Sequence, residues 1–318
     1  MSTPSVVIPT FDGRDRLAQA LESLEPGRFE VLVVDNASTD STGELVRRLF
    51  PDVEVIELPE NRGFARAANA GAAYATGDPL VFLNNDCVCD PEFVPRLAAR
   101  IDAASGVVMS AGVMRSPEQP GLIDTAGICV DSTLLVYDYL NGEPVSVLDG
   151  PVADPLGPCG VAAAFDRSAF LDEGGFDETF FAYWEDVDLA LRLRVAGGRC
   201  ALARDARGTH EHSATLGSGS RRKNYLMGFG RAYLLRKWRV LSAARLPKVL
   251  FGELVICAGQ AVVDRNLAGV AGRIRGYKAW SGDDGFVYPR EFVQDGARQS
   301  TLLANRLRRR LRAGGAGG

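Results

Sequence analysis

The sequence lacks a long apolar segment. The best candidate, residues 249–263, is interrupted by Glu253 and Gln260, and it falls short of the roughly 18 apolar residues that a membrane-spanning helix needs. The N-terminal residues also lack the charged and apolar regions of a secretion signal. These absences predict a protein that stays in the cytoplasm and is either soluble or peripheral to a membrane.

The sequence also lacks paired cysteines. Its six cysteines are scattered through apolar surroundings, a distribution typical of reduced, buried thiols in a cytosolic protein. Cys87 and Cys89 form a C-x-C pair, but a zinc site would need further ligands close by. The cysteines therefore predict neither a disulfide framework nor a zinc centre.

Acidic and basic residues are unevenly divided along the 318-residue chain. Residues 1–220 hold 34 acidic and 16 basic side chains, whereas residues 221–318 hold 6 acidic and 20 basic ones. An acidic body suits a metal ion and carboxylate chemistry, and a basic tail suits anionic lipid, polyphosphate or nucleic acid. The length and the hydrophobic content of 46% predict a globular protein with one large domain or two small ones.

Short apolar runs alternate with helical patterns in the first part of the chain. Fully apolar runs of this kind are typical of buried parallel strands. They lie at residues 5–9, 30–35, 53–58, 80–83 and 107–113. Helices are predicted over residues 14–24, after a capping box that begins at Ser41, and over residues 91–104 with Asp90 as the N-cap. The alternation predicts an α/β fold with a mostly parallel sheet flanked by helices.

Polar side chains follow two of these strands, at the edge where open α/β sheets bind ligands. Asp35 ends the second strand and would either accept a hydrogen bond from a base or sugar or cap its own turn. Asn84, Asn85 and Asp86 follow the fourth strand. Hard divalent ions prefer such oxygen ligands, although the triplet also fits an ordinary turn.

The segment after the third strand is rich in small residues. Residues 61–71 enter a helix whose alanines and glycines allow close packing or close approach to a ligand. Arg62 and Arg66 are the only cations expected near this edge, and they suit either phosphate contact or a solvated surface. Residues 116–158 read as irregular, which favours a wall of a substrate site. Residues 157–165 form a small-residue strand with room for a group to lie against its backbone.

The densest acidic cluster lies where a helix begins, within residues 176–194. The positions three, four and seven after Asp186 are apolar, so Asp186 should be partly buried on the core-facing stripe. A half-buried carboxylate at a helix N-terminus suits a general base. Glu185, Asp188 and Arg192 fall on more polar faces. The alternative is an acidic cluster that only complements the helix dipole.

The only two histidines, His210 and His212, flank Glu211 in a polar segment. With Asp86 as a further hard ligand they favour a metal site, and two structural histidines are the alternative. Beyond residue 223 the chain becomes basic and helical, with apolar helices at 249–277 and an arginine cluster at 306–312. This pattern favours docking at an anionic membrane surface, and a solvated helical bundle is the alternative.

Together these motifs resemble the inverting glycosyltransferases of family 2, which have the GT-A fold, and within them the bacterial rhamnosyltransferase-like members. The resemblance covers about residues 4–240 and rests on five motifs in the family's order, at 6–10, 33–40, 61–71, 83–86 and 176–189. It implies a GT-A catalytic domain over residues 1–220 and a basic, mostly helical extension over residues 221–318.

The resemblance also implies a role for each motif. The nucleotide-binding residues would be Pro9, Thr10, Asp35, Asn61, Arg62, Gly63, Phe64, Asn69 and Asn85, with Asp35 facing the base. The ligands of Mg²⁺ or Mn²⁺ would be Asp86, His210 and Asn84. Asn84 stands where the family's D-x-D motif has a carboxylate, and His212 would serve in place of His210. Asp186 would be the catalytic base, with Glu185 beside it in the acceptor site.

The implied reaction is a metal-dependent, inverting sugar transfer from a nucleotide-diphosphate donor to a hydroxyl of a glycan or lipid-linked glycan, in cell-envelope polysaccharide synthesis. The resemblance favours dTDP-rhamnose as the donor. The alternative is a non-catalytic sugar-nucleotide-binding or membrane-docked scaffold protein. Nucleic acid is not expected as a partner, and association with further copies of the chain is left open.

Two related activities fit the motifs less well. A nucleotidyltransferase would need a glycine-rich and basic loop directly after the first strand, whereas residues 10–14 hold one glycine and one arginine. A processive polysaccharide synthase would carry a Q-x-x-R-W motif and membrane spans, but the glutamine is missing before Lys237 and Trp238.

Overall fold

A computed structural model describes residues 3–24, 27–211, 219–282 and 285–293. His212 and the arginine cluster at 306–312 lie outside the described residues, so the predictions made on them stay predictions.

The helices and strands follow the alternating pattern of the sequence. The strands are β1 (Ser5–Thr10), β2 (Glu30–Asp35), β3 (Glu54–Glu57), β4 (Leu80–Leu83), β5 (Cys87–Cys89), β6 (Val107–Ser116), β7 (Gln119–Thr125), β8 (Ile128–Val130), β9 (Val136–Asp138), β10 (Ala162–Phe165) and β11 (Arg199–His210). The α-helices are α1 (Arg14–Ser23), α2 (Thr42–Leu49), α3 (Phe64–Tyr74), α4 (Phe93–Ala98), α5 (Arg167–Asp172), α6 (Glu185–Val195), α7 (Arg221–Lys237), α8 (Leu246–Val263) and α9 (Ala268–Ala279). Short 3₁₀ helices cover Ala103–Ser105, Val145–Asp149 and Arg290–Phe292.

One mixed sheet holds nine of the described strands, in the order β3-β2-β1-β4-β10-β6-β11-β5, with β7 beside β6. β1 is parallel to β2 and β4, β2 to β3, and β6 to β11. β10 runs antiparallel between β4 and β6, and β5 and β7 are also antiparallel to their neighbours. The six strands that share a direction therefore end at one edge, and the predicted α/β class with a mostly parallel sheet is confirmed.

The sheet is covered on both faces, which explains why its central strands β1, β4 and β10 are mostly apolar. Val6 and Ile8 of β1 pack in one cluster with Leu17 of α1, whereas Val7 packs in the other with Ala68 of α3. Successive side chains of a strand point to opposite faces, so a strand covered on both sides needs apolar residues at every position.

Two predicted helix caps are wrong, although α2 begins directly after Ser41 as predicted. Ser41 makes no side-chain cap and has a left-handed backbone with φ of 62°. The Thr42 N–H instead donates to Asp40 Oδ1 at 3.1 Å, so the expected capping box does not form. Asp90 is not the cap of α4, because that helix begins only at Phe93 and ends at Ala98. Asp90 pairs with Arg115 of β6 instead.

Two regions predicted to be irregular contain strands. Residues 116–158 hold β7, which pairs with β6, and the separate hairpin of β8 and β9. β11 extends to His210, so this histidine ends a strand rather than lying in a loop. β7, β8 and β9 are short strands of local hairpins, and β11 is defined by pairing with the distant strands β5 and β6, so neither region gives a strong local signal in the sequence.

The C-terminal helices differ in their burial. Leu234 and Trp238, in and just after α7, are fully buried in the same cluster as Leu189 of α6. The domain boundary expected at residue 220 thus falls between elements that share one core, and it stays a prediction. α8 is long and apolar enough to cross a membrane, by length and composition alone, although the sequence predicted no such segment.

Candidate active site

A cavity of about 490 Å³ opens at the edge where the parallel strands end. Its lining includes most of the predicted site residues: Pro9, Thr10, Asn61, Gly63, Phe64, Asn84, Asn85, Asp86, Glu185, Asp186 and His210. The chain segments that carry them are far apart in sequence. The strand order brings them together, because β1 and β4 are neighbours and α6 begins beside β10.

A sharp turn directs the acidic helix start into this cavity. Tyr183 and Trp184 both have left-handed backbones, with φ of 70° and 77°. Such conformations cost about 1–3 kcal/mol each outside glycine and persist where the surroundings fix them. The Trp184 ring is buried, and its indole N–H donates to the Met227 carbonyl at 3.1 Å. α7 thereby holds the turn that presents Glu185 and Asp186.

Asp186 lines the cavity with a fixed carboxylate. Its Oδ2 accepts the Gly160 N–H at 2.9 Å, and its Oδ1 accepts the Val187 N–H at 2.8 Å. Burial raises the pKa of Asp186, and these two hydrogen bonds oppose the increase. The backbone of residues 157–165, which the sequence predicted to be accessible to another group, is therefore in contact with Asp186. A carboxylate that is oriented and has a raised proton affinity is suited to accept a proton at neutral pH.

Glu185 is more buried than Asp186, with 5% of its surface exposed. Its Oε2 has no hydrogen-bond partner. Burial, and then the charge of Asp186, raise the pKa of Glu185 to about 8. The two adjacent carboxyls thus disfavour carrying charge together, since the charge of Asp186 raises the pKa of Glu185.

The prediction that Glu185, Asp188 and Arg192 lie on polar faces is wrong, because all three are buried. Asp188 Oδ2 accepts from Arg192 Nε at 2.9 Å and from Lys237 Nζ at 2.8 Å. Its Oδ1 accepts from Trp238 Nε1 at 3.1 Å. α7 and the residues after it cover the side of α6 that the sequence assigned to solvent, and this buried charge network joins the two helices.

We expect Glu185→Gln to stabilise the fold in a pH-dependent way. The folded pKa of about 8 lies above the unfolded value of 4.5, so the unfolded state releases a proton that the folded state keeps. Wild-type stability should therefore fall as the pH rises from about 5 to about 8, at up to about 1.4 kcal/mol per unit. Glutamine removes that dependence. Urea unfolding across this pH range measures the difference, with the exposed Glu22→Gln as the control, and parallel curves for Glu185→Gln and wild type would contradict it.

A second group in the cavity joins Asp86 to His210. His210 pairs with Cys87 across β11 and β5, which brings it next to the residue before Cys87. Asp86 Oδ1 has no hydrogen-bond partner and lies 3.5 Å from His210 Nε2. Burial raises the pKa of Asp86, and His210 opposes the increase. An orphaned, buried carboxylate oxygen beside an imidazole nitrogen fits a divalent cation.

This pair does not form a complete metal site by itself. In the part of the chain that the structure describes, no group of three or more His, Cys, Asp or Glu side chains could hold a metal ion. Mg²⁺ is usually bound by one or two carboxylates together with substrate phosphates. Asp86 and His210 therefore fit an ion shared with a bound diphosphate. Asn84 lines the same cavity, and its place among the ligands stays a prediction.

Known proteins are similar to large parts of this chain. A family model described as Glycosyl transferase family 2 matches residues 5–125. The O-antigen biosynthesis protein RfbC of Myxococcus xanthus is 29% identical over 229 residues, which are 66% of this chain and 17% of that protein. The N-acetylglucosaminyl-diphospho-decaprenol L-rhamnosyltransferase of Mycobacterium tuberculosis is 28% identical over 243 residues, which are 67% of this chain and 77% of that protein. These matches place residues 5–125 of the chain in glycosyltransferase family 2.

A solved structure agrees with the fold of this glycosyltransferase. The mannosyltransferase PcManGT of Pyrobaculum calidifontis, solved in complex with GDP-Man and Mn²⁺, superposes with a TM-score of 0.54 at 20% identity. The superposition covers 98% of this chain and 81% of that one. The predicted GT-A fold is confirmed.

Three residues predicted to bind the nucleotide do not line the cavity of the glycosyltransferase: Asp35, Arg62 and Asn69. Asp35 Oδ1 accepts the Ser38 N–H at 2.8 Å, which is the turn-capping role that the sequence left open. The Arg62 side chain pairs with Glu60.

Asn69 connects α3 to the start of the acidic stretch. Its Nδ2 donates to the Phe176 carbonyl at 2.8 Å, and its Oδ1 accepts the Phe176 N–H at 2.9 Å. This contact positions the chain that leads to α6, and Asn69 itself contacts no cavity surface.

The loop before α3 is fixed against the acidic stretch. Gly63 has φ of 88°, and a Cβ there would lie 2.0 Å from the Phe181 carbonyl oxygen, so only glycine fits. The Phe64 N–H donates to that carbonyl at 2.7 Å. Asn36 lines the cavity and holds the same loop, because its Nδ2 donates to the Gly63 carbonyl at 3.0 Å and its Oδ1 accepts the Arg62 N–H at 3.0 Å.

The sequence missed an acidic residue beside the histidine. Asp124 of β7 is buried and lines the cavity, and its Oδ2 lies 3.4 Å from His210 Nδ1. A carboxylate at one imidazole nitrogen fixes the ring and favours the lone pair at the other, which here faces Asp86. The only local signal was a polar pair, Asp124 and Thr125, after the apolar residues of a short strand.

The sequence also missed two cations. Arg222 and Lys223 of α7 line the cavity, whereas the sequence placed only Arg62 and Arg66 near this edge. The Arg222 guanidinium lies 4.8 Å from the centroid of the Phe181 ring, and Lys223 Nζ lies 5.3 Å from that of Tyr183. The basic part of the chain thus contributes positive charge to the active-site cavity.

Proposed function

We propose that this glycosyltransferase moves a sugar from a nucleotide-diphosphate donor to a hydroxyl of a lipid-linked glycan in cell-envelope polysaccharide synthesis, with inversion and with the help of Mg²⁺ or Mn²⁺. The observation that carries the proposal is the single cavity that contains both the Asp86 and His210 pair and the oriented carboxylate of Asp186. The Mycobacterium tuberculosis relative, named as an L-rhamnosyltransferase on a diphospho-decaprenol acceptor, supports dTDP-rhamnose as the donor and a polyprenyl-diphosphate-linked sugar as the acceptor.

Asp186 is the proton acceptor in this reaction. The acceptor oxygen forms a bond to the anomeric carbon while the bond from that carbon to the donor phosphate breaks, and the hydroxyl proton passes to Asp186. General-base catalysis of this kind contributes roughly 10² to 10⁴ in rate. The hydrogen bonds from Gly160 and Val187 keep the carboxylate in one orientation before the acceptor binds. Attack from the side opposite the leaving phosphate inverts the anomeric configuration.

Asp86 and His210 would hold the divalent ion, which supplies charge neutralisation of the diphosphate leaving group worth several kcal/mol. Asp124 keeps the imidazole of His210 in the orientation that this requires. Arg222 and Lys223 bring further positive charge to the same cavity. When Glu185 is protonated beside Asp186, it is able to donate a hydrogen bond to the acceptor.

A panel of sugar nucleotides identifies the donor. We expect dTDP-rhamnose with Mn²⁺ to raise the melting temperature by about 4 °C near 100 times its Kd, because a ligand that binds only the folded state stabilises it by roughly 2.7 kcal/mol at that concentration. Thermal unfolding is followed with each nucleotide, with Mn²⁺ or with EDTA. Equal shifts for dTDP-rhamnose and for the other donors would contradict the rhamnose assignment. Stabilisation without Mn²⁺-dependent transfer or hydrolysis would instead indicate a non-catalytic sugar-nucleotide-binding protein.

A further inference from the structure

The polar and apolar sides of α8 are placed in the opposite way from those of a surface helix in a soluble protein. Its polar residues face the protein: Glu253 pairs with Arg231 Nε at 2.7 Å and with Arg273 Nε at 2.5 Å. Gln260 is buried, and its Nε2 donates to Asn224 Oδ1 at 3.2 Å. A surface helix normally turns its apolar side to the core and its polar side to water.

The opposite side of α8 is apolar and exposed. Leu250, Phe251, Leu254 and Val262 have 57%, 63%, 68% and 77% of their surface exposed. The neighbouring helix α9 continues this pattern. We call the following exposed apolar side chains of α8, of α9 and of the connection between them the apolar face: Leu250, Phe251, Leu254, Val262, Leu267, Val270, Ile274 and Tyr277. An exposed apolar surface of this kind marks a site of contact with a membrane or another protein.

The charges around the apolar face have one sign. Lys248, Arg265, Arg275 and Lys278 are exposed, whereas residues 244–282, all of which the structure describes, have no exposed acidic side chain. A symmetric contact with a second copy would bring each patch against itself, and these cations would then repel one another. An anionic bilayer offers the complementary charge.

The geometry of the helices indicates contact with the membrane surface rather than a span. Val249 and Gln260 at the two ends of α8 are both buried against the protein, so the helix lies along the body. α9 has 12 residues, which give about 18 Å at 1.5 Å per residue, well short of the roughly 30 Å hydrocarbon core. It also carries Arg273, Arg275 and Lys278.

We propose that the apolar face docks the enzyme on the surface of an anionic phospholipid bilayer, with its leucine and phenylalanine side chains inserted among the acyl chains and its cations at the headgroups. This inference rests on α8 and α9 alone and is independent of the donor and acceptor proposed above.

The test is flotation of the full-length protein with two kinds of vesicle. One kind is phosphatidylcholine with about 30% phosphatidylglycerol, and the other is phosphatidylcholine alone. We expect wild type to float with the anionic vesicles, and the double variant Leu250→Ser, Leu254→Ser to bind at least about tenfold more weakly. Arg275→Gln with Lys278→Gln should weaken binding about fivefold for each lost charge. Both pairs are exposed, so folding should be unchanged, as circular dichroism and thermal unfolding verify.

Matched controls distinguish lipid binding through the apolar face from nonspecific adsorption and from binding through the basic C-terminal residues. Leu49→Ser and Arg48→Gln remove an exposed leucine and an exposed arginine from α2, and both should bind vesicles like wild type. All variants keep the basic residues 294–318, so unchanged binding by Leu250→Ser, Leu254→Ser would show that the lipid binds outside the apolar face and would overturn the proposal. It is also overturned if wild type does not float, or if size-exclusion chromatography shows a dimer that the double variant dissolves while vesicles bind neither protein.

Discussion

Asp186→Asn should abolish sugar transfer, with a loss in kcat of roughly 10² to 10⁴ or more, because the amide cannot accept the proton of the acceptor hydroxyl. The affinity for the nucleotide donor should stay near that of wild type, since Asp186 is bound by Gly160 and Val187 rather than by the group of Asp86 and His210. Steady-state transfer assays give kcat, and calorimetric titration of the donor with Mn²⁺ gives the affinity.

Both oxygens of Asp186 accept backbone N–H groups, and the asparagine amide replaces one acceptor by a donor. This costs about 1–3 kcal/mol of stability, so unfolding must be measured beside activity. Glu185→Gln is the comparison, because it changes the adjacent carboxyl and keeps the carboxylate of Asp186. If Asp186→Asn kept more than about a tenth of wild-type turnover while Glu185→Gln lost it, Glu185 and not Asp186 would be the base.

The central strands that build the site could be predicted because they are buried on both faces and mostly apolar, as β1 and β4 are. Of the polar residues predicted at the ligand edge, Asn84, Asn85 and Asp86 after β4 line the cavity, whereas Asp35 at the end of β2 does not. Asp86 and Asp186 lie in one cavity, an arrangement that the resemblance to family 2 glycosyltransferases implied.

The burial of α6 could not be predicted from its pattern of apolar residues. A helical wheel assumes that the side away from the sheet faces water, and it placed Glu185, Asp188 and Arg192 there. α7 covers that side, and it does so with Lys237 and Trp238, which bind Asp188. A polar residue paired by a distant polar residue looks the same in a sequence as a polar residue in water.

Residues 116–158 were predicted to form a wall of a substrate site, and five of them line the cavity, but the strands within this segment were missed for a related reason. β7 is held by pairing with β6, and its first three residues are exposed, so its sequence has neither a continuous apolar run nor a helical period. Asp124 was therefore invisible as a partner of His210. The cations of α7 were assigned to a separate extension because composition changes near residue 220, whereas the helix itself packs against the catalytic turn at Trp184.

The largest effect on donor binding should come from Asp86→Asn. Asp86 Oδ1 is buried beside His210 and has no hydrogen-bond partner. The negative charge of the Asp86 carboxylate is what a divalent ion would neutralise. We expect the variant to lose the Mn²⁺-dependent part of its affinity for the nucleotide-diphosphate sugar, about 10²-fold or more if the ion contributes several kcal/mol. Affinity measured in EDTA should be unchanged. Folding should not suffer, because burial raises the pKa of Asp86 and a neutral amide avoids that cost.

Calorimetric titrations with Mn²⁺ and with EDTA give the two affinities, and their ratio is the decisive quantity. Asp90→Asn is the matched control, since Asp90 lies in the same segment, pairs with Arg115 and does not line the cavity. It should keep the wild-type ratio, because removing a carboxylate outside the cavity leaves the charge around the diphosphate unaltered. A ratio for Asp86→Asn equal to that of wild type would mean that the ion, if it binds, is held without Asp86, and the assignment of Asp86 and His210 as its ligands would fail.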